Sequence, residues 1–109
     1  MTELEEYQKA ALKYAVNECE DYKMYLSLGL CGEAGEVAEK VKKVVRDKMG
    51  EPTSEDIQGI AYELGDCLWY LAVLADRIGY SLQDVAVMNI DKIRQRAKNG
   101  TLGGSGDNR

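Results

Sequence analysis

Two pairs of carboxylates in this chain have the residue types and spacing to do chemistry. Glu33 and Glu36 are separated by i, i+3, and Glu63 and Asp66 repeat that spacing. On a helix such residues lie about 60° apart on the wheel, close enough for both carboxylates to reach one cation. Four all-oxygen ligands suit magnesium or manganese, hard cations that keep some water and accept substrate phosphates in their remaining positions. The chain contains no His. That excludes a di-iron bundle, which needs Glu-x-x-His pairs, and equally a Ser-His-Asp or Cys-His mechanism. Any hydrolysis must therefore draw its base from a carboxylate or from metal-ion chemistry. Neither a G-x-x-x-x-G-K-[ST] loop nor a G-x-G-x-x-G turn is present, so phosphate recognition by a P-loop or a dinucleotide fold is excluded as well.

The two pairs do not carry equal weight. Glu33-x-x-Glu36 taken alone has a bland reading, because E-x-x-E on a polar helix face is usually a solvated surface. Glu63 and Asp66 differ, since Trp69, Tyr70 and Val73 follow one turn further along the same face. Carboxylates at the margin of a covered surface suffer desolvation and mutual repulsion unless something positive sits among them, and a metal ion is the economical answer. Asn89, Lys92 and Arg96 at i, i+3 and i+7 line one face of the last helix. They can hold sugar and phosphate oxygens, or they are the solvated basic end that the helix dipole favours. Asn89 borders the Val85, Ala86, Ile93 stripe, where an amide needs a partner. Lys40, Lys42 and Lys43 read mainly as a solvated face from which one side chain can reach a phosphate. Trp69, Tyr62 and Tyr70 can stack on a base or form interface core.

The elements that must position these residues are helical throughout. There is one Pro, no alternating segment bounded by turn signals, and apolar residues recur at helical spacing nearly everywhere. The expected fold is all-α, a four-helix bundle-type domain over residues 1–99 with a Gly-rich tail of no regular structure over 100–109. The first helix starts at a Thr2-x-x-Glu5 capping box, carries Leu4, Tyr7, Ala11, Ala15 and Cys19 on one side, and ends near Leu28-Gly29. The second spans about Gly32 to Lys48 with Ala34, Val37, Ala38, Val41, Val44 and Val45 in one stripe, stopped by Gly50 and Pro52. The third runs from a Thr53 or Ser54 cap to about Ile78, with Ile57, Ala61, Leu64, Leu68, Leu71 and Ala75 in line. The fourth begins at Ser81-x-x-Asp84 and reaches about Lys98.

Within the third helix, CLWYLAVLA (67–75) is apolar all the way round, and such a helix is covered on two sides. A bundle of four helices supplies one core. The second cover is expected from another subunit packing on Trp69, Tyr70, Val73 and Leu74, giving a homodimer or homotetramer.

A net charge of -5 and a pI near 4.8 argue against a nucleic-acid polymer as partner. A small phosphorylated ligand is compatible if metal ions bridge the two sets of negative charge. Cys19, Cys31 and Cys67 form no CxxC pair, so neither a disulfide framework nor a zinc site is indicated and a reducing cytoplasm is expected. The start, MTELEEYQKA, lacks an apolar h-region, and no stretch approaches the roughly 18 apolar residues of a membrane span. No membrane association is expected.

The segment LGLCGEAGEVAEKVKK (28–43) followed by ELGDCLWYLAVLAD (63–76) resembles the E-x-x-E and E-x-x-D signature of MazG-like nucleotide pyrophosphohydrolases. NIDKIRQRAKNG (89–100) is similar to the Asn, Lys and Arg pattern of their final helix, and the resemblance covers nearly the whole chain. It implies an all-α bundle, assembled as a dimer or a dimer of dimers, that cleaves nucleoside triphosphates to the monophosphate and pyrophosphate. It also implies magnesium, with manganese as a substitute, held by Glu33, Glu36, Glu63 and Asp66. Glu33 or Glu36 would be the catalytic base, and Asn89, Lys92 and Arg96 would bind substrate. Base and sugar preference do not follow from it. Two other readings compete: a non-catalytic helical dimerisation or adaptor module, and a sensor that binds a nucleotide without cleaving it.

Overall fold

The structure, a computed structural model, describes residues 1–15, 22–104 and 106. It is all-helical, with no strand among the described residues. Helix α1 spans Glu3–Leu12, α2 Tyr22–Lys48, α3 Ser54–Arg77 and α4 Leu82–Asn99. None of them is long and apolar enough to cross a membrane.

The starts of α1, α3 and α4 follow from capping side chains. Thr2 accepts from the Glu5 amide, Thr53 from the Asp56 amide, and Ser81 from the Asp84 amide. At Thr53 the box is reciprocal, because Asp56 Oδ2 also accepts from the Thr53 amide at 2.9 Å. The same carboxylate receives Lys48 Nζ at 2.7 Å and so ties the end of α2 to the start of α3. Between them the chain reverses through Met49 at φ 54 and Gly50 at φ 79, left-handed conformations that end a helix and are strain-free only for glycine.

The longest helix departs from the sequence expectation. The break placed near Leu28-Gly29 is absent, and α2 passes unbroken through Gly29, Gly32 and Gly35 for 27 residues. The first helix ends at Leu12 instead, with Lys13 as its cap. Cys19, assigned to that first helix, lies outside the described residues. A glycine stops a helix only when it turns left-handed; Gly29 keeps helical backbone, and the ring of Tyr70 occupies the space where a side chain would be. From 100 to 104 no helix or strand forms, beginning with Gly100 as a left-handed cap at φ 70.

Helices α2 and α3 form a long hairpin, and α1 and α4 pack on α3 and on each other. The core where they meet contains Ala11, Ala15, Leu26, Ala72, Val73 and Leu82, flanked by Leu4, Tyr7, Leu68, Trp69, Tyr70 and Leu74. Leu26 and Val73 are fully buried, each contributing roughly 1.5–3 kcal/mol. At its centre is a polar clamp that sequence periodicity did not flag. Gln8, 6% exposed, donates through Nε2 to the carbonyls of Ala72 at 2.9 Å and Tyr80 at 3.2 Å, and accepts the Leu82 amide at 2.9 Å. One side chain thus joins α1, α3, the α3–α4 turn and the first turn of α4. Trp69 Nε1 adds a bond to the Ala11 carbonyl at 3.2 Å near the end of α1.

The packing of α3 departs in part from the sequence expectation: Ala75 is buried and Leu68 packs on the core as anticipated, but Ile57, Leu64 and Leu71 of the same line do not. Val73 is buried within the chain's own core, with Trp69, Tyr70 and Leu74 packed around it, so these residues are not the surface left for a second subunit. The exposed apolar line is Ile57, Leu64, Leu71 and Ile78, at 56%, 55%, 42% and 53% exposure. Their spacing of seven forms one seam along the helix. On α2, Val41 and Val45 from the anticipated stripe are also exposed, and only Val44 is buried. The radius of gyration, 16.6 Å, exceeds the roughly 13 Å of a compact chain of this length, as an open hairpin requires.

Replacing Gln8 by Leu strands the buried Leu82 amide, the buried Ala72 carbonyl and the part-buried Tyr80 carbonyl, so a loss of about 2–4 kcal/mol in unfolding free energy is expected, measured by urea denaturation. Lys48, with the Thr53 amide, holds the Asp56 carboxyl down at about 2. A depressed acid stabilises the fold above its unfolded pKa, and that contribution disappears as pH falls from about 4 to about 2. Melting temperatures across this range should fall more steeply for the native chain than for Asp56→Asn, with the two curves converging at the acid end.

Candidate metal centre

Glu33 comes from the middle of α2, and Glu63 and Asp66 come from the facing stretch of α3. Glu63 and Asp66 share a face because they are three apart, and the α2–α3 hairpin sets Glu33 opposite them. One carboxylate oxygen from each lies within 4.8 Å of the others. Oxygens bound to one hard cation at about 2.0–2.6 Å are at most twice that far apart, so the spacing fits a single shared ion. Glu33 and Glu63 are half-buried and Asp66 is exposed, leaving one open side.

The electrostatics match a site short of positive charge. The Glu33 carboxyl is raised above its ordinary value, first by desolvation, then by the charge of Asp66, a hydrogen bond with Glu63 and the charges of Glu63 and Glu36. Lys40 Nζ approaches Glu63 Oε1 at 3.8 Å. Three converging acids beside one marginal ammonium form a donor set that a divalent cation completes.

Tyrosines pack against this cluster. The Tyr70 hydroxyl is pushed up by burial and by neighbouring Tyr25, with further contributions from Glu33 and Asp66. Tyr7 is likewise raised, by burial and then by Asp66. Tyr70 meets Trp69 edge-on at 5.0 Å between ring centres, and its ring lies flush against Gly29. A Cβ on Gly29 would fall 2.5 Å from Tyr70 Cζ and 2.8 Å from Cδ1. Gly29 therefore permits the close approach of α3 that brings Glu33 to Glu63 and Asp66. The sequence held a signal for it, because Gly29, Gly32 and Gly35 recur every three residues, the spacing of a small-residue helix face.

Other anticipated site residues fall elsewhere. Glu36 is exposed and outside the converging triplet, although its charge still acts on Glu33. Asn89 and Lys92 are exposed on α4, so the Asn89 amide faces solvent rather than a buried partner. Arg96 is half-buried and donates from Nη2 to the Gly106 carbonyl at 3.3 Å, while its own carbonyl accepts the Thr101 amide at 2.8 Å. Among the described residues α4 does not pack against α2. Within one chain the basic stripe therefore does not pack against the helix that carries Glu33 and Glu36. Tyr62 is exposed, and Trp69 and Tyr70 are half-buried core residues.

Fold and site together define an all-helical domain with a carboxylate centre whose donors suit a hard divalent cation. The MazG nucleotide pyrophosphohydrolase domain matches residues 23–101, which include all four carboxylates and the basic stripe of α4. The chain belongs to the MazG nucleotide pyrophosphohydrolase family. It is 42% identical over 109 residues to the Gene 37 protein of Mycobacterium phage L5, covering 94% of this chain and 96% of that protein. It is 35% identical over 82 residues to YvdC of Bacillus subtilis (strain 168), covering 70% of this chain and 77% of that protein. No solved structure matches.

Gly29→Ala should force the Tyr70 ring away from α2, at a cost of about 1–3 kcal/mol by overpacking. Gly32→Ala, where a Cβ meets nothing within 4 Å, should be neutral or stabilising. Paired thermal unfolding curves check the contrast.

Proposed function

We propose that this protein is a magnesium-dependent pyrophosphohydrolase of nucleoside triphosphates. The reading is carried by the convergence of Glu33 from α2 with Glu63 and Asp66 from α3 within 4.8 Å, in a chain of the MazG family. In the reaction, the oxygen of a water adds to phosphorus at the α–β anhydride and the bridging bond breaks. The products are a nucleoside monophosphate and pyrophosphate.

A bound magnesium ion, or manganese in its place, supplies neutralisation of the triphosphate and lowers the pKa of water. Glu33, Glu63 and Asp66 would hold it, with Glu36, one turn from Glu33, adding its charge to the anionic set. The proton released by the attacking water needs an acceptor that is not saturated by coordination. Glu36, exposed and outside the triplet, is suited to that role, with Glu33 as the alternative.

Asn89, Lys92 and Arg96 serve as contacts to sugar and phosphates from a neighbouring copy of the chain. Two observations support an oligomeric assembly. The Ile57, Leu64, Leu71, Ile78 seam leaves four large apolar side chains open along α3, a pattern that marks helix-to-helix association. The same chain's α4 packs on α1 and α3 and not on α2, the helix that carries Glu33, which favours delivery of the α4 residues by a neighbouring copy. The acidic balance of the chain supports a small phosphorylated substrate rather than a polymer.

Incubation with a panel of nucleoside triphosphates and magnesium should release pyrophosphate, and chelation should stop it. In Glu63→Gln the rate should fall by at least about a hundredfold with the fold and oligomer intact, since even second-shell partners of a metal cost roughly 10- to 100-fold. Full activity in that variant removes the metal site; no release with any nucleotide and no metal-dependent nucleotide binding removes the enzyme.

A further inference from the structure

Between the C-terminal half of α2 and the start of α3 lies a groove of about 350 Å³, lined by Lys40, Lys43, Val44, Asp47, Lys48, Glu55, Asp56 and Gly59. Its charges are not equivalent. Asp47 is engaged by Arg46 through two bonds of 2.7 and 2.8 Å, and Asp56 by Lys48 and the Thr53 amide. Glu55 sits exposed in the first turn of α3. Lys40 and Lys43 have only long ion pairs, at 3.8 Å to Glu63 and 4.0 Å to Glu39. The cations least committed to partners are therefore the two nearest the carboxylate centre.

Lys40 belongs to both places. Its stem lies over Gly59, where an added Cβ would stand 3.8 Å from Lys40 Cδ and Nζ, and its ammonium lies toward Glu63, one turn further along α3. We infer that Lys40 is an exchangeable counter-cation: paired here with Glu63, it yields that carboxylate to a divalent ion and turns to phosphate oxygens lying in the α2–α3 groove, beside Lys43. This rests on the metal centre proposed above and assigns a new positioning role to one residue and a direction to the polyphosphate, along the hairpin toward the Met49–Thr53 turn. The Lys40 side chain is 41% exposed, and its pair at 3.8 Å is long enough to be surrendered without stranding a buried charge.

Lys40→Met keeps the stem and removes the charge. Two titrations test it: manganese alone, followed by its electron paramagnetic resonance signal, and inorganic tripolyphosphate in excess magnesium, followed by calorimetry. Manganese affinity without phosphate should rise about two- to fivefold, the size of a partly exposed ion pair, while tripolyphosphate affinity should fall about tenfold or more, as for a lost charge-assisted contact. Lys40→Arg should restore phosphate binding, and Lys42→Met, on the solvated face, should change neither. Unchanged or weakened manganese binding in Lys40→Met overturns the exchange, and unchanged tripolyphosphate binding overturns the groove. If the native chain itself binds no manganese, it is the metal centre that fails.

Discussion

The separation of α2 and α3 is set where the ring of Tyr70 lies flush on Gly29, and everything of functional interest in this chain depends on that contact. A hairpin of two long helices brings side chains from residues 30 positions apart onto one surface, but only at the distance its interface side chains allow. With a bare glycine under the ring, Glu33 comes within reach of Glu63 and Asp66. Any side chain at 29 would widen the gap where the acids meet. Glycine in a helix interior costs about 1 kcal/mol relative to alanine, and here the cost is offset by the packing of an aromatic ring and by the geometry it creates.

That geometry opposes folding as much as it serves chemistry. Three acids converge, one of them with its carboxyl raised by desolvation and by the others, and the nearby ammonium of Lys40 stands at a long 3.8 Å. Stability is found elsewhere, in the core around Leu26 and Val73 and in the Gln8 clamp that pins α1 to the α3–α4 turn. The division is physically sensible. A rigid apolar and hydrogen-bonded end holds one part of α3, so that the strained electrostatic part next to it keeps its shape before a cation arrives.

Helix α3 carries two apolar faces, and a single chain covers one. The inward face holds Ala72, Val73 and Ala75; the outward face shows Ile57, Leu64, Leu71 and Ile78. Periodicity alone assigned the line Ile57, Ala61, Leu64, Leu68, Leu71 and Ala75 to the core and the denser 69–74 run to a partner; the packing keeps Leu68 and Ala75 at the core, exposes Ile57, Leu64 and Leu71, and turns Val73 inward. Trp69 decides the matter, because its indole N–H finds the Ala11 carbonyl at the end of α1 and turns that side of the helix inward.

What the sequence by itself determined is local or compositional. Helical periodicity, the Thr2, Thr53 and Ser81 caps and the Gly50 stop required only neighbouring residues, so the all-α class and the starts of α1, α3 and α4 were legible. The absence of His excluded whole mechanisms, and the i, i+3 spacing put Glu63 and Asp66 on one face. The tertiary structure decided what depends on partners far along the chain. It made Gly29 a packing site instead of a helix end, admitted Glu33 to the cluster and left Glu36 outside, buried Gln8 against three backbone groups, and turned Lys40 toward Glu63. Each of these is set by a contact between residues 23 to 74 positions apart, and side-chain spacing along one helix carries no record of which face its neighbour will meet.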